Sequence, residues 1–305
     1  MIKAWQRIAR ENELLYLFLH NRGAQLAALV AILTLGAAAL ASVISPTDPY
    51  DIASIDIMDS LVPPVWVDGS DERFFIGTDD QGRDLFSAIL YGTRLSLLVG
   101  LLSVGFACVL GVTVGLMAGY FGGRFDAVVM RIADVQLSLP AILTALLIDG
   151  IARGILPRDQ HDNLMIAVLT VAIGLSLWVN FARTVRASTL VERNKEYVQA
   201  SEIMGMHPLR IMVVHILPNI MGPILVILTV DLAVAVLLEA TLSYLGVGVP
   251  PNQPSLGTLI RIGTEYMFSG EWWIVIFPSA MLITMIISIN ILGDFLRDAF
   301  NPALR

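Results

Sequence analysis

The sequence predicts an all-α integral membrane protein with six transmembrane helices, on three observations. Hydrophobic residues fill 56% of the 305 positions and charged residues only 15%, with a mean hydropathy of +0.75. Soluble domains carry about 45–50% apolar and about 25% charged residues. Long stretches hold no charge at all, and Lys and Arg divide unevenly between alternate connecting segments.

A spanning helix needs roughly 20 apolar residues to cross a hydrocarbon core of about 30 Å. No charged residue occurs between Arg22 and Asp48, Arg94 and Arg124, Asp162 and Arg183, or Glu271 and Asp294. These runs give four spans, the first over 22–44. A fifth is expected over 220–243 despite Asp231 and Glu239, and a sixth over 126–150, punctuated by Asp126, Arg131, Asp134 and Asp149.

With the amino terminus inside, the inner segments hold thirteen of the nineteen Lys and Arg residues, the excess that marks cytoplasmic loops. The expected order is a cytoplasmic tail (1–21), the first span, an outer loop (45–86), and a core (87–305) whose segment 192–219 faces the cytoplasm. Both termini are expected to be cytoplasmic. Lys3, Arg7 and Arg10 are mixed with Glu11 and Glu13, and the first apolar run exceeds a signal h-region, so no cleavable signal peptide is predicted. Cys108, the single cysteine, lies in the second span and can form no intramolecular disulfide.

The formal charge of −7 is concentrated in residues 45–86, which hold ten acidic groups and two arginines. Such a loop reads as a solvated surface or as a docking face for a soluble partner or cationic solutes. Its "PTDPYD" and "VDGSDE" stretches predict irregular structure rather than a folded domain.

Several chemistries are excluded. A Walker-type phosphate loop needs a lysine after glycine, and neither Lys3 nor Lys195 follows one. His20, His161, His207 and His215 lack HExxH spacing, and one cysteine cannot build a thiolate metal site, so no metal site is predicted. An aspartyl protease needs two carboxyls at like depth. Asp231 falls near mid-bilayer and Asp294 near the inner end of the last span, so no catalytic pair is predicted.

Buried carboxylates cost about 2.5–3.5 kcal/mol each at a helix centre, so Asp231 and Glu239 must face protein or water. They read either as a polar lining of a translocation path or as groups paired with another helix. Arg131 and Asp134, three apart on one helix, are expected to form an ion pair.

The stretch "EYVQASEIMGMHPLRIMVVHILPN" (196–219) is too polar to span and too apolar for a solvated loop. A short helix is expected from Glu196 to Met204, stopped by Gly205, since glycine readily adopts the left-handed conformation that ends helices. His207-Pro208 should open a second segment, with proline in its tolerated first turn, and Pro218 should end it. Ala200 and Ser201 are small and would let another protein approach the backbone.

These residues resemble the EAA loop of ABC importer permeases, with Glu196, Ala200, Gly205, Leu217 and Pro218 at matching positions. The run "WVNFARTVRASTL" before it is similar to the same family's approach to that loop, through Trp178, Ala182, Arg183 and Arg186. Upstream, "GTDDQGRDLFSAILYGTRLSL" resembles the dipeptide/oligopeptide/nickel permease group, the DppC/OppC-like transmembrane subunits. "GYFGGRFDAVVMRIADVQLSLP", "LEATLSYLGVGVPP" and "INILGDFLRDAFNP" agree. Three positions depart from the pattern: Ala88 where arginine is usual, Ser201 where a second alanine is frequent, and Leu256 where tryptophan is common.

The resemblance implies a type I ABC importer permease fold in a bacterial inner membrane, carrying di- or oligopeptides or another solute of the group: nickel chelates, opines or glutathione. It implies a second homologous permease, two cytoplasmic ATPases and an extracytoplasmic solute-binding protein as partners, with lipid around the spans and no nucleic acid. It makes Glu196, Tyr197, Ala200, Ser201, Gly205, His207, Pro208, Leu217 and Pro218 the ATPase-coupling set. ATP and Mg would sit on the ATPases, with no cofactor on this chain and no enzymatic activity of its own. A secondary transporter is the rival class, but the two halves show no internal repeat of the kind such folds carry.

Overall fold

The computed structural model describes residues 13–51, 55–155, 161–249, 253 and 255–299, and the described residues contain helices and turns but no strand. Helix α1 covers Arg22–Ala39, preceded by a short helix Glu13–His20. Asn21 caps α1 by accepting from the Ala24 amide at 3.0 Å. Helix α2 covers Leu85–Phe121, α3 Gly123–Leu137, α4 Ala141–Ile155 and α5 His161–Arg193. A short helix α6 covers Glu196–Ile203, followed by α7 at Met221–Tyr244, α8 at Leu256–Tyr266 and α9 at Trp273–Ala299.

Among the described residues, five helical stretches are long and apolar enough to cross a membrane: Arg22–Ala39, Leu85–Phe121, Leu164–Arg193, Pro208–Tyr244 and Trp273–Ala299. The expected sixth span over 126–150 is not one straight helix. α3 and α4 meet at 98° and make a sixth span only if counted together. Pro140 is the physical reason: it supplies no amide donor and pushes the residue before it out of the α region.

The centre of the fold is the parallel pair α2 and α5, whose contacts run in step from Phe106 beside Gly174 to Gly119 beside Thr189. Gly111, Gly115 and Gly119, four residues apart, form a stripe on α2 against α5. An added Cβ would lie 2.5 Å from the Trp178 carbonyl oxygen at Gly111 and 2.4 Å from the Ala182 oxygen at Gly115. Small residues let two backbones approach this closely in lipid, where packing rather than water exclusion holds helices together. Phe181, Ala182, Ile173 and Leu169 of α5 are fully buried in the resulting core. A second core gathers α1, α2, α7, α8 and α9 around Leu85, Val236, Leu259 and Ile274. A third surrounds α6 with Leu116, Tyr120, Val185, Val198, Ile211 and Ile216.

The acidic segment before α2 is more ordered than its composition predicts. Asp79 and Arg83 form a buried ion pair at 2.6 Å, and Asp79 also accepts from the Gln81 and Arg83 amides. Gly77 and Gly82 adopt positive φ (88° and 80°), and a Cβ at Gly82 would sit 2.1 Å from the Asp56 oxygen. Trp273 Nε1 donates to the Thr78 oxygen at 3.1 Å, fastening this cap to the start of α9. The turns are irregular, as expected, but they are closed into a compact unit.

A protruding helix and two buried carboxylates

Residues 192–219 build a helical protrusion beside the far end of α2. Lys195 is extended (φ −78°, ψ 149°) and α6 starts at Glu196, whose exposed carboxylate lies in the first turn, at the favourable end of the helix dipole. The helix closes in a Schellman motif. The Met206 amide reaches the Ser201 oxygen at 3.1 Å and the Gly205 amide the Glu202 oxygen at 3.0 Å, with Gly205 at φ 74°. Nothing lies within 4 Å of a Cβ added at Gly205, so its requirement is conformational, not steric. His207 then caps the next turn, Nδ1 accepting from the Leu209 amide at 3.3 Å, with Pro208 as first residue.

The tip is apolar and bare: Ile203, Met204 and Leu209 are 88%, 70% and 58% exposed. The opposite face of α6 is held down by Val198 and Ser201, both buried. Ser201 is therefore not on an open face. Its hydroxyl donates to the Tyr197 oxygen at 2.7 Å, and the three-residue spacing from Val198 turns it inward, whereas Ala200 remains exposed. Of the other expected residues, Gly205, His207 and Pro218 are exposed, and Tyr197, Pro208 and Leu217 are half-buried.

The protrusion is bolted to three long helices. Tyr120 of α2 donates to Glu202 at 2.9 Å, with Arg193 over the Tyr120 ring at 5.7 Å. Glu192 at the end of α5 accepts from Lys195 Nζ at 2.6 Å and from the Tyr197 hydroxyl at 2.5 Å. Asn219 donates to that same hydroxyl at 3.2 Å and to the His215 oxygen at 2.7 Å. Burial, and then the bond to the Glu192 carboxylate, push the Tyr197 phenol up to about 12. Glu192, Glu202, Tyr120 and Asn219 were absent from the sequence-derived set. Only Asn219 carried a local signal, as the residue after Leu217-Pro218.

Pro218 does not end the second segment. After Pro208–Arg210 come a π-helical turn (Ile211–Ile216) and a 3-10 turn (Leu217–Ile220), and the chain stays helical from Pro208 to Tyr244. Proline cannot donate in an α ladder, and the changed turn geometry absorbs it without a break.

Asp134 is not paired with Arg131. Its nearest cation is Arg183 Nη1 of α5 at 4.0 Å. α3 runs antiparallel along α5, joined by a bidentate Arg186–Asp126 pair and by Trp178 Nε1 donating to Gln136 at 2.8 Å, and this register turns Asp134 toward α5.

Asp231 and Glu239 of α7 are 4% and 0% exposed. Asp231 accepts from Asn180 Nδ2 of α5 at 3.2 and 3.3 Å, and Glu239 from the Ser243 hydroxyl at 2.7 Å. Both are enclosed by this chain's own helices, so in this conformation neither faces an open path. Among the described residues no group of His, Cys, Asp or Glu could hold a metal.

Comparison with known proteins agrees with this architecture. The family described as "Binding-protein-dependent transport system inner membrane component" matches residues 111–305. A dipeptide transport system permease protein DppC of Haemophilus influenzae is 33% identical, over 96% of this chain and 95% of its own length. A di/tripeptide transport system permease protein DppC of Pseudomonas aeruginosa is 37% identical, over 94% and 90%. An inward-facing structure of the MetNI methionine ABC transporter superposes with a TM-score of 0.54 at 22% identity, over 70% of this chain and 96% of that one. By family match and relatives alike, the chain belongs to the inner membrane components of binding-protein-dependent transport systems, the permease subunits of ABC importers.

Proposed function

We propose that this chain is one of two permeases in an ATP-driven importer of di- or oligopeptides, and that α6 is its coupling helix. The observation that carries the coupling role is the bare apolar tip of Ile203, Met204 and Leu209, held by hydrogen bonds to α2 and α5 and through Asn219 to the helix entering α7. A protruding apolar knob on a rigid mount suits insertion into a groove on a soluble partner. ATP and Mg would belong to two cytoplasmic ATPases, which supply the differential contacts that shift the spans between inward and outward states. In this arrangement 1–21 and 192–219 face the cytoplasm, as do both termini, and the acidic cap faces the solute-binding protein.

The peptide assignment is supported by the relatives, whose names specify dipeptide, di/tripeptide and oligopeptide transport. Nickel chelates, opines and glutathione are the alternatives within the group. Ligand-induced thermal shift of the cognate binding protein, screened across peptides, amino-acid conjugates and metal chelates, decides among them. A shift with peptides alone is expected, and a shift only with a metal chelate would reassign the solute.

A further inference from the structure

Trp66 and Phe75 project from the acidic cap at the depth where α9 enters the membrane. α9 carries no charge from Trp273 to Leu292, and the next residues are Gly293 and Asp294. At about 1.5 Å per residue this run spans roughly a bilayer's hydrocarbon core, which sets Trp272 and Trp273 at one boundary. Phe277 lies one turn deeper. Trp66 packs edge-on against Phe277 with centroids 6.2 Å apart and against Phe75 at 5.9 Å, and Trp272 packs on Phe277 at 6.0 Å.

The height of these rings is fixed by the mount. The Trp273 indole donates to the Thr78 oxygen, and a Cβ at Gly77 would lie 3.0 Å from that indole nitrogen, so the cap has little freedom to lift from α9. Yet Trp66 and Phe75 are 55% and 66% exposed. They continue an exposed apolar stripe down α9 through Ile276, Ile283 and Ile287. Aromatic rings are enriched at headgroup level because an apolar body and a polar edge suit that layer.

We propose that the Trp66–Phe75 edge of the cap is a membrane anchor, seated at the headgroup–acyl boundary of the cap-side leaflet on zwitterionic phospholipid. The lipid class follows from charge, since the ten acidic groups of 45–86 repel anionic headgroups. Anchored along this edge, the cap stands as a fixed pedestal beside α9. The anchor depends on α9 spanning the bilayer and not on the coupling role or the solute.

The test uses the full chain in nanodiscs of phosphatidylcholine brominated at acyl carbons near the headgroup. A fluorophore is attached at Phe75→Cys, with Glu72→Cys on the preceding turn as control, both in a Cys108→Ala background. The account expects loss of emission at 75 and none at 72, with a smaller loss when phosphatidylglycerol is included. Undiminished emission at 75 overturns the anchor, including the case where added binding protein or second permease shields the label instead. A greater loss with anionic lipid overturns the lipid assignment. Tryptophan emission of the native chain minus that of Trp66→Phe gives a second reading through a conservative change, and an unquenched Trp66 component also overturns the proposal.

Discussion

The Tyr120 hydroxyl at the end of α2 donates a 2.9 Å hydrogen bond to the Glu202 carboxylate on α6, across 82 positions of sequence. It joins the 37-residue α2 to the protruding helix, so displacement of α6 has a direct route into α2. A hydrogen bond to a charged group contributes about 1.5–3 kcal/mol, less where water competes. Tyr120→Phe is expected to lower uptake several-fold while ATPase subunits still co-purify, because the tip is untouched. Loss of co-purification would assign Tyr120 to the partner interface instead.

Gly205 separates conformation from space. With φ 74° and room for a Cβ, an ordinary residue faces only the left-handed penalty, about 1–2 kcal/mol, and a β-branched residue faces more. Uptake is expected to fall in the order Gly205, Gly205→Asn, Gly205→Ala, Gly205→Val, since asparagine tolerates this region. Equal activity of the asparagine and valine variants in reconstituted vesicles would remove the backbone explanation.

Tyr197 carries a pH prediction. The folded state raises its phenol from 10.0 to about 12 and so holds the proton more tightly than the unfolded chain. The stabilisation is complete below pH 10 and declines as pH rises through 10 toward 12. Burial also raises Tyr50, so ultraviolet titration should show more than one tyrosinate forming above 10, with one fewer in Tyr197→Phe. A normal transition near 10 for this residue would mean that the Glu192 contact does not form.

Much of this site was legible in the sequence because it rests on local backbone rules. Gly205 ends α6 and Pro208 opens the next turn through their own conformational preferences. Ser201 was misplaced because an eight-residue helix with two small neighbours does not fix its own phase; packing of Val198 does. Asp134 was given a partner on its own helix because the register of α3 on α5 lies outside any local window. The α3–α4 break was signalled by Pro140 but masked by the hydropathy of the flanks. The Glu192–Tyr197 bond spans only five positions, but it needs the turn between α5 and α6, and the further bond to Asn219, 22 positions on, is tertiary.

The glycine stripe was legible but unread in "GVTVGLMAG". Gly115→Val would drive side-chain atoms into the Ala182 backbone, where even a Cβ lies 2.4 Å from the oxygen. Overpacking costs about 1–3 kcal/mol where neighbours can shift, and backbone shifts least readily. The variant is expected to lower the thermal midpoint and yield of the purified chain, whereas Gly105→Ala, where a Cβ meets nothing, should leave both unchanged. Equal behaviour of the two would refute the close approach of α2 and α5.

For Asp231, held by Asn180, the enclosed geometry gives a split outcome. Asp231→Asn keeps a side chain able to accept from Asn180 and is expected to preserve assembly and uptake. Asp231→Leu leaves Asn180 without its acceptor and should cost about 1–3 kcal/mol of stability. Altered solute preference in the Asn variant of an intact complex would restore a role in the translocation path.

The central claim is that the apolar tip of α6 enters an ATPase subunit. A photo-crosslinking residue at Ile203 in the assembled importer tests it most directly, with the exposed Asp298 near the chain's end as control. The account predicts a crosslinked product containing the ATPase from position 203, formed in membranes active for uptake. No ATPase adduct from 203 in an importer that still transports would contradict it.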